Sequence, residues 1–144
     1  MRFLFIIVLI AFSTNAMAQS STWKTLSKIV YKQKYFEDAG YELDMPVFHP
    51  EVKALEGKEI ELKGYILALE GIKDQEHFMF SLFPFDICYF CGGAGPETVV
   101  EVFTKNDKKI KYTSKPVMIK GVLELNNDDI NMHMYILRNV SIIR

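Results

Sequence analysis

Residues 58–69 read "KEIELKGYILAL" and decide the fold. Apolar and polar side chains alternate through this stretch, which is the pattern of a strand that is buried on one face. One face carries Ile60, Leu62, Gly64, Ile66 and Ala68, and the other carries Glu59, Glu61, Lys63 and Tyr65. The glycine in mid-strand predicts a bend or bulge of the kind that a tightly curled sheet requires.

Four further strands are predicted toward the C-terminus. They cover residues 77–85 ("HFMFSLFPF"), 97–104, 115–126 and 130–144, and the fourth strand again has a central glycine, Gly121. Five such strands predict a mainly β protein with a small five-stranded OB-like barrel, because a β-sandwich ordinarily has more strands. Residues 104–112, between the third and fourth strands, do not look helical. The helix usual at this point is therefore missing, or N-terminal residues plug the barrel end in its place.

The N-terminus has the features of a signal peptide. Arg2 precedes an apolar run over residues 3–12, and the small residues Ala16 and Ala18 follow. The run is too short to span a bilayer, which takes about 20 residues. We therefore predict a signal peptide over residues 1–18 with cleavage near Ala18. The mature protein is expected to be exported, periplasmic or secreted, with no membrane span.

The mature chain divides into an N-terminal extension, residues 19–56, and the barrel, residues 57–144. Trp23, Leu26 and Ile29 are spaced as on a short helix, while "KIVYKQKYF" (residues 28–36) fits a strand equally well. The extension is thus helical or extended and packs on the barrel. Residues 41–56, interrupted by two prolines, are predicted to be an extended approach to the barrel, with an irregular loop or a single helical turn over residues 45–58.

Composition excludes several classes of protein. The chain has 17 Lys and Arg against 18 Asp and Glu, a net charge of −1, so general binding to nucleic acid is not expected. Its 49% hydrophobic content excludes a disordered chain. There is no G-x-S-x-G motif and no defensible Ser-His-Asp order, so no catalytic residues are assigned and a non-enzymatic protein is favoured.

The two cysteines of the chain lie in "CYFCGGAGPE", residues 88–97. A thioredoxin-type redox pair needs a helix after it to lower a cysteine pKa, and three glycines and a proline cannot continue one. A metal knuckle is the second interpretation, although structural zinc sites use the C-x-x-C spacing twice. The third is a disulfide, which an oxidising compartment favours. The metal and disulfide interpretations stay open, and so does redox exchange without a helix, which an exported C-x-x-C pair can still carry out.

A metal site at Cys88 and Cys91, for zinc or copper, needs further ligands. The candidates are His133, His49 and Glu97, or donors from a second chain, which would make a homodimer sharing one metal. His77 is a poor candidate, since it opens the strand that runs to the cysteines and so lies at its far end.

The cysteine motif is also a candidate contact surface. Two aromatic residues held between cysteines on a loop, Tyr89 and Phe90, suit contact with a partner or ligand, together with Gly92, Gly93 and Gly95. We therefore predict an exported binding or adaptor module that takes a metal ion, an unknown small ligand or an exported protein. One alternative is thiol–disulfide exchange or metal transfer at the C-x-x-C pair. Another is sugar or peptide binding on the barrel face, with a structural disulfide.

The mature chain resembles a group of short secreted bacterial proteins of unknown function with an OB-like barrel. Three stretches carry this resemblance: "FHPEVKALEGKEIELKGYILAL", "FPFDICYFCGGAGPETVVEVF" and "YILRNVSII". The middle stretch, with its C-x-F-C-G-G-A-G-P-E motif, is the most specific of the three. The resemblance implies the barrel fold and an exported location, and it suggests metal handling, but it implies no established activity.

Overall fold

The computed structural model describes residues 22–143, so the predicted signal peptide at residues 1–18 lies outside the described residues. The helices are short: α1 covers residues 22–26 and α2 covers Pro50–Lys53. The strands are β1 (Ile29–Phe36), β2 (Tyr41–Phe48), β3 (Glu59–Leu67), β4 (His77–Ser81), β5 (Val99–Thr104), β6 (Val117–Leu125) and β7 (Tyr135–Ile143). Within residues 22–143, every helix falls short of the length and apolar character needed to cross a bilayer.

The predicted barrel is confirmed. Strands β3 to β7 close into a five-stranded barrel in the order β3-β4-β5-β7-β6, with β6 returning to pair with β3. Strands β5 and β7 are parallel, and the other neighbouring pairs are antiparallel. This is the Greek-key path of the OB-fold, in which the fourth strand passes over to the first. The alternation in residues 58–69 is seen directly, since Ile60, Leu62 and Ile66 are buried.

The two strand glycines stand where chains approach closely. A Cβ atom at Gly64 would lie 2.2 Å from the carbonyl oxygen of Ser81 on β4. At Gly121 a Cβ would lie 2.6 Å from a side-chain carbon of Val140, beside a register shift between β6 and β7. Only glycine leaves room at these two points, so the predicted bends are places where the barrel curls tightly onto itself.

The N-terminal extension fills part of the barrel core. Trp23 and Leu26 of α1 are 5% and 0% exposed, and they belong to the same apolar cluster as the inward-facing strand residues. The Trp23 indole N–H donates to the carbonyl oxygen of Lys63 on β3 at 2.9 Å. The Tyr135 hydroxyl, at the start of β7, donates to the Leu26 carbonyl oxygen. The extension therefore plugs the barrel, and residues 105–116 contain a 3₁₀ turn, Lys105–Asp107, where an OB-fold commonly has an α-helix.

The extension is otherwise a hairpin that the sequence prediction missed in part. Strands β1 and β2 pair antiparallel from Ile29 with Phe48 to Phe36 with Tyr41. The strand interpretation of residues 28–36 is confirmed, and residues 41–48 are extended as predicted. They pair as strand β2, so the irregular loop predicted from residue 45 is wrong as far as Phe48, and α2 then supplies the single helical turn. The hairpin was hard to recognise because most of its side chains are exposed on both faces, so polarity does not alternate.

Candidate functional site

The cysteines lie on the connection between β4 and β5, residues 82–98, which we call the cysteine loop. Three 3₁₀ turns shape it: Phe85–Ile87, Tyr89–Cys91 and Pro96–Thr98. The turns explain why β4 ends at Ser81 and β5 begins at Val99, within the limits of the predicted strands. They also expose four large apolar residues, which are 39–51% accessible to solvent: Phe85, Ile87, Tyr89 and Phe90.

The two cysteines have different environments. Cys88 is fully buried in a small apolar cluster with Leu67, Val99 and the partly buried Met79, whereas Cys91 is exposed. Both are free thiols in the structure and are close enough to interact electrostatically. Desolvation, followed by the charge of Cys88, raises the pKa of Cys91. A raised pKa leaves less thiolate at neutral pH, which is the opposite of the activation that a thioredoxin-type nucleophile requires.

The glycines after Cys91 turn the loop back on itself. Gly92 has a φ of +78°, a left-handed conformation that favours glycine. Gly93 passes so close to Ile87 that a Cβ would lie 2.4 Å from its carbonyl oxygen. The Cys91 and Gly93 N–H groups both donate to the Cys88 carbonyl oxygen at 3.1 Å. These two amides therefore hold the backbone closed, rather than pointing at sulfur as a metal knuckle would require.

The unequal burial of the cysteines leads to a testable difference in stability. Under reducing conditions, Cys88→Ser should lower the free energy of unfolding by about 1–3 kcal/mol, because it places a hydroxyl in an apolar cluster. Cys91→Ser should change it by less than about 0.5 kcal/mol, since the side chain is exposed. Urea denaturation followed by circular dichroism measures both variants. Equal losses would show that Cys88 does not anchor the loop.

A cleft of about 290 Å³ lies where the cysteine loop meets the hairpin and the β6–β7 loop. We call it the tyrosine cleft. Its walls include Tyr31 and Met45 of the hairpin, Tyr89 and Pro96 of the cysteine loop, and Met132, His133 and Met134 before β7. The Tyr31 hydroxyl donates to the sulfur of Met134 at 3.7 Å, which joins the hairpin to the β6–β7 loop. Three segments far apart in the sequence thus form one site.

The cleft walls are acidic as well as aromatic. Asp44 and Asp129 also line the cleft. Burial, followed by the nearby negative charge of Glu97 and by Tyr89, raises the pKa of Tyr31 to about 12. Burial, with smaller contributions from Tyr31 and Glu97, also raises the pKa of Tyr135. Both phenols therefore stay protonated at neutral pH, and each donates its one hydrogen within the protein: Tyr31 to the Met134 sulfur and Tyr135 to the Leu26 carbonyl oxygen.

His133 joins the cleft to the barrel. Its Nδ1 lies 3.2 Å from the backbone nitrogen of Tyr135 and 3.3 Å from the carbonyl oxygen of that residue. Its Nε2 is buried and has no hydrogen-bond partner at a normal distance. The Pro96 carbonyl is still close enough to favour the protonated imidazole and so to raise the pKa of His133. Desolvation outweighs this effect and lowers the pKa of His133, so the imidazole is neutral at neutral pH.

Glu101 fixes the position of His133. This carboxylate on β5 is buried, and its Oε2 accepts a hydrogen bond from the His133 backbone N–H at 2.9 Å. Its Oε1 lies 2.7 Å from Nε2 of His77, the first residue of β4. The His77 ring in turn stacks on Phe103 with ring centroids 4.3 Å apart. One buried side chain therefore ties a strand of the barrel to the loop that forms a wall of the cleft.

The predicted metal ligands are dispersed. His133 lines the tyrosine cleft and Glu97 is close enough to influence it, but His49 caps α2, where its Nδ1 accepts from the Glu51 N–H at 3.3 Å. Among residues 22–143, no three His, Cys, Asp or Glu side chains are grouped so as to hold a metal ion. Zinc or copper at Cys88 and Cys91 stays a prediction that depends on ligands from elsewhere.

Sequence reasoning missed Tyr31, Glu101 and the cleft methionines. For Met132 and Met134 a signal was present, because "NMHMY" (residues 131–135) places two methionines around a histidine. For Glu101 the signal is a single charge among valines in "TVVEVF". Tyr31 gives no signal, since it lies on a hairpin without alternating polarity.

Comparison with known proteins gives a family. No curated protein and no solved structure matches the chain. A family model described as "Protein of unknown function (DUF3299)" matches residues 12–143, which is most of the chain and includes the extension, the cysteine loop and the whole barrel. The OB-like barrel with its N-terminal plug thus belongs to a protein of the DUF3299 family.

Proposed function

We propose that this protein is an exported, non-enzymatic binding module that receives an apolar side chain of an exported partner protein in the tyrosine cleft. Tyrosine and methionine are both enriched at protein interfaces. Methionine adapts its shape to what it contacts, and tyrosine offers a flat apolar ring with a polar tip. The loop between the last two strands of an OB-fold commonly takes part in binding, and here it forms one wall of the cleft.

The observation that carries the proposal is the continuity of the cleft with an exposed apolar surface. Tyr89 lines the cleft and contacts Phe90 edge-on, with ring centroids 5.2 Å apart. Phe85 and Ile87 extend the same surface along the cysteine loop and are 45% and 51% exposed. Contiguous exposed apolar side chains of this kind mark interaction sites in soluble proteins.

Size and charge narrow the class of partner. A volume of about 290 Å³ lies at or below the lower end of the range for small-molecule pockets, and it suits one large side chain. Asp44, Asp129 and Glu97 place negative charge around the opening. The preferred segment therefore presents an aromatic or large aliphatic anchor with a basic residue beside it, because opposite charges favour encounter and fix orientation.

Synthetic peptides test the proposal directly. A peptide with one tryptophan flanked by lysines should bind, and the same peptide flanked by glutamates should bind at least tenfold more weakly. Tyr31→Ala and Tyr89→Ala should each weaken binding of the lysine-flanked peptide about tenfold or more, as expected for central aromatic contacts. Tyr35→Ala is the matched control, since Tyr35 is 58% exposed on the same strand and does not line the cleft. Fluorescence anisotropy measures each affinity, and equal effects of Tyr31→Ala and Tyr35→Ala would refute the cleft as the site.

Metal transfer at Cys88 and Cys91 is the second candidate function. Its support is the proximity of the two thiols together with the exposure of Cys91. Two sulfur donors suit the soft ion copper(I) better than zinc, which takes four ligands in structural sites. Copper(I) added to the reduced protein should bind at one ion per chain and should be lost in Cys91→Ser. Retention of copper in that variant would exclude the cysteine pair as the site.

A further inference from the structure

A second concave surface lies away from the tyrosine cleft, where residues 105–111 pack against the end of β7. This groove has a volume of about 660 Å³. Four lysines line it: Lys105, Lys108, Lys109 and Lys111. Its apolar lining consists of Ile110, Val140 and Ile142. We call it the lysine groove.

The positive charge of the groove is only partly compensated. Asp107 lies between these lysines in the sequence but does not line the groove, and Lys109 pairs with Glu76 at a long 4.0 Å. Four like charges within seven residues repel one another, which is unfavourable unless an anion is bound between them. The protein as a whole carries a net charge of −1, so this concentration of lysine is a local feature of one surface.

The backbone around the groove is strained. The non-glycine residues with positive φ in the described part of the chain are Asn106, Asp107 and Asn139, with φ of 55°, 52° and 55°. Asn106 lines the groove, Asp107 follows it, and Asn139 precedes the lining residue Val140. Residues of this kind cluster at binding and catalytic sites, and here one of them lines the groove and the other two are next in the sequence to residues that line it.

A buried hydroxyl without a partner lies at the inner side of the same region. Thr104 ends β5 immediately before Lys105 and pairs with Val140 of β7, at a register shift between the two strands. Its Oγ1 is buried and has no hydrogen-bond partner. Thr104 does not line the groove, so this hydroxyl marks the irregular β5–β7 junction behind the groove wall and is not a contact for a ligand.

From these observations we infer that the lysine groove binds a ligand that carries two or more phosphate groups on a partly apolar body. Lysine binds phosphate as a point charge, and four of them match more than one phosphate. The apolar lining favours a body that buries hydrocarbon, such as the diacylglycerol end of an anionic lipid. This site is independent of the tyrosine cleft and would add a second ligand to the proposed binding function.

Inorganic tripolyphosphate is the first probe, measured by isothermal titration calorimetry. We expect binding that weakens steeply with salt and that falls at least tenfold in the triple variant Lys105→Gln, Lys108→Gln, Lys111→Gln. The matched control is Lys24→Gln, Lys32→Gln, Lys58→Gln, which removes the same charge from exposed positions outside the groove. Circular dichroism first establishes that both triple variants fold.

Vesicles distinguish the two sources of phosphate. Flotation with vesicles that contain cardiolipin, a lipid with two phosphates, and with phosphatidylcholine vesicles as the neutral comparison, is repeated with both triple variants. Groove-dependent binding to the cardiolipin vesicles assigns a lipid headgroup, with or without tripolyphosphate binding, and groove-dependent binding to tripolyphosphate without vesicle binding assigns a soluble phosphate compound. Equal losses in the two triple variants, or binding to neither probe, would overturn the inference.

Discussion

Trp23→Ala is expected to lower the free energy of unfolding by about 3–5 kcal/mol, the usual cost of truncating a buried tryptophan. The indole is 5% exposed and lies within the apolar cluster of the barrel. Its loss also removes the hydrogen bond to the Lys63 carbonyl on β3. The barrel would then lose the plug that fills its core, and the hairpin would lose one of its attachments.

The measurement is urea denaturation followed by circular dichroism, because Trp23 is the single tryptophan of the chain and its fluorescence disappears with the substitution. Lys24→Ala is the control, since Lys24 is exposed on the same helix. An unfolding midpoint for Trp23→Ala equal to that of the control would show that the barrel is stable without its plug. Trp23→Phe should recover part of the loss by refilling the space without the hydrogen bond.

The barrel could be predicted because burial leaves a trace in the sequence. On β3 each inward residue is apolar, and the outward residues from Glu59 to Tyr65 are polar or charged, so the alternation reports the geometry directly. Glycine at positions 64 and 121 reports the close approach of neighbouring strands. The limits of β4 and β5 agree less well with the prediction. Strand β4 ends at Ser81 although the apolar run continues to Phe85, where a 3₁₀ turn begins, and the turn Pro96–Thr98 delays the start of β5 to Val99.

The candidate site could be predicted only in part. The cysteine motif marks its own loop, since the glycines are required locally by the turn that follows Cys91. The tyrosine cleft gives no such local signal, because Tyr31, Tyr89 and His133 meet only after the hairpin has docked on the barrel. A pattern in one stretch of sequence predicts only the structure of that stretch. The tyrosine cleft forms between the hairpin, the cysteine loop and the β6–β7 loop, so its formation depends on tertiary packing.

Glu101 shows how a single residue can connect the barrel to this site. Its carboxylate is buried on β5 and holds two groups at once: the His77 ring at 2.7 Å and the His133 backbone N–H at 2.9 Å. Burying a carboxylate destabilises the folded protein unless the carboxylate is hydrogen-bonded or paired with an opposite charge. These two contacts therefore have to offset the cost of removing Glu101 from water. The arrangement positions the β6–β7 loop, which presents His133 and two methionines to the tyrosine cleft.

We therefore expect Glu101→Ala to lower the free energy of unfolding by about 3 kcal/mol, because it leaves the His133 N–H without its partner and opens a cavity. Glu101→Gln should lower the free energy of unfolding clearly less than Glu101→Ala does. The amide oxygen can accept from the His133 backbone N–H while the amide nitrogen donates to the ring nitrogen of His77. Glu59→Ala is the control, because it removes an exposed carboxylate that pairs with Lys120 at 3.5 Å, a contact of little energy.

Two measurements on these variants separate stability from the shape of the site. Urea denaturation gives the free energy of unfolding, and binding of the lysine-flanked tryptophan peptide reports the tyrosine cleft. Glu101→Ala should weaken binding of the peptide at temperatures where the variant is still folded, because the loop that carries His133 is no longer held in place. A loss below about 1 kcal/mol in Glu101→Ala would contradict this role, since a buried carboxylate that can be removed so easily does not fix the loop.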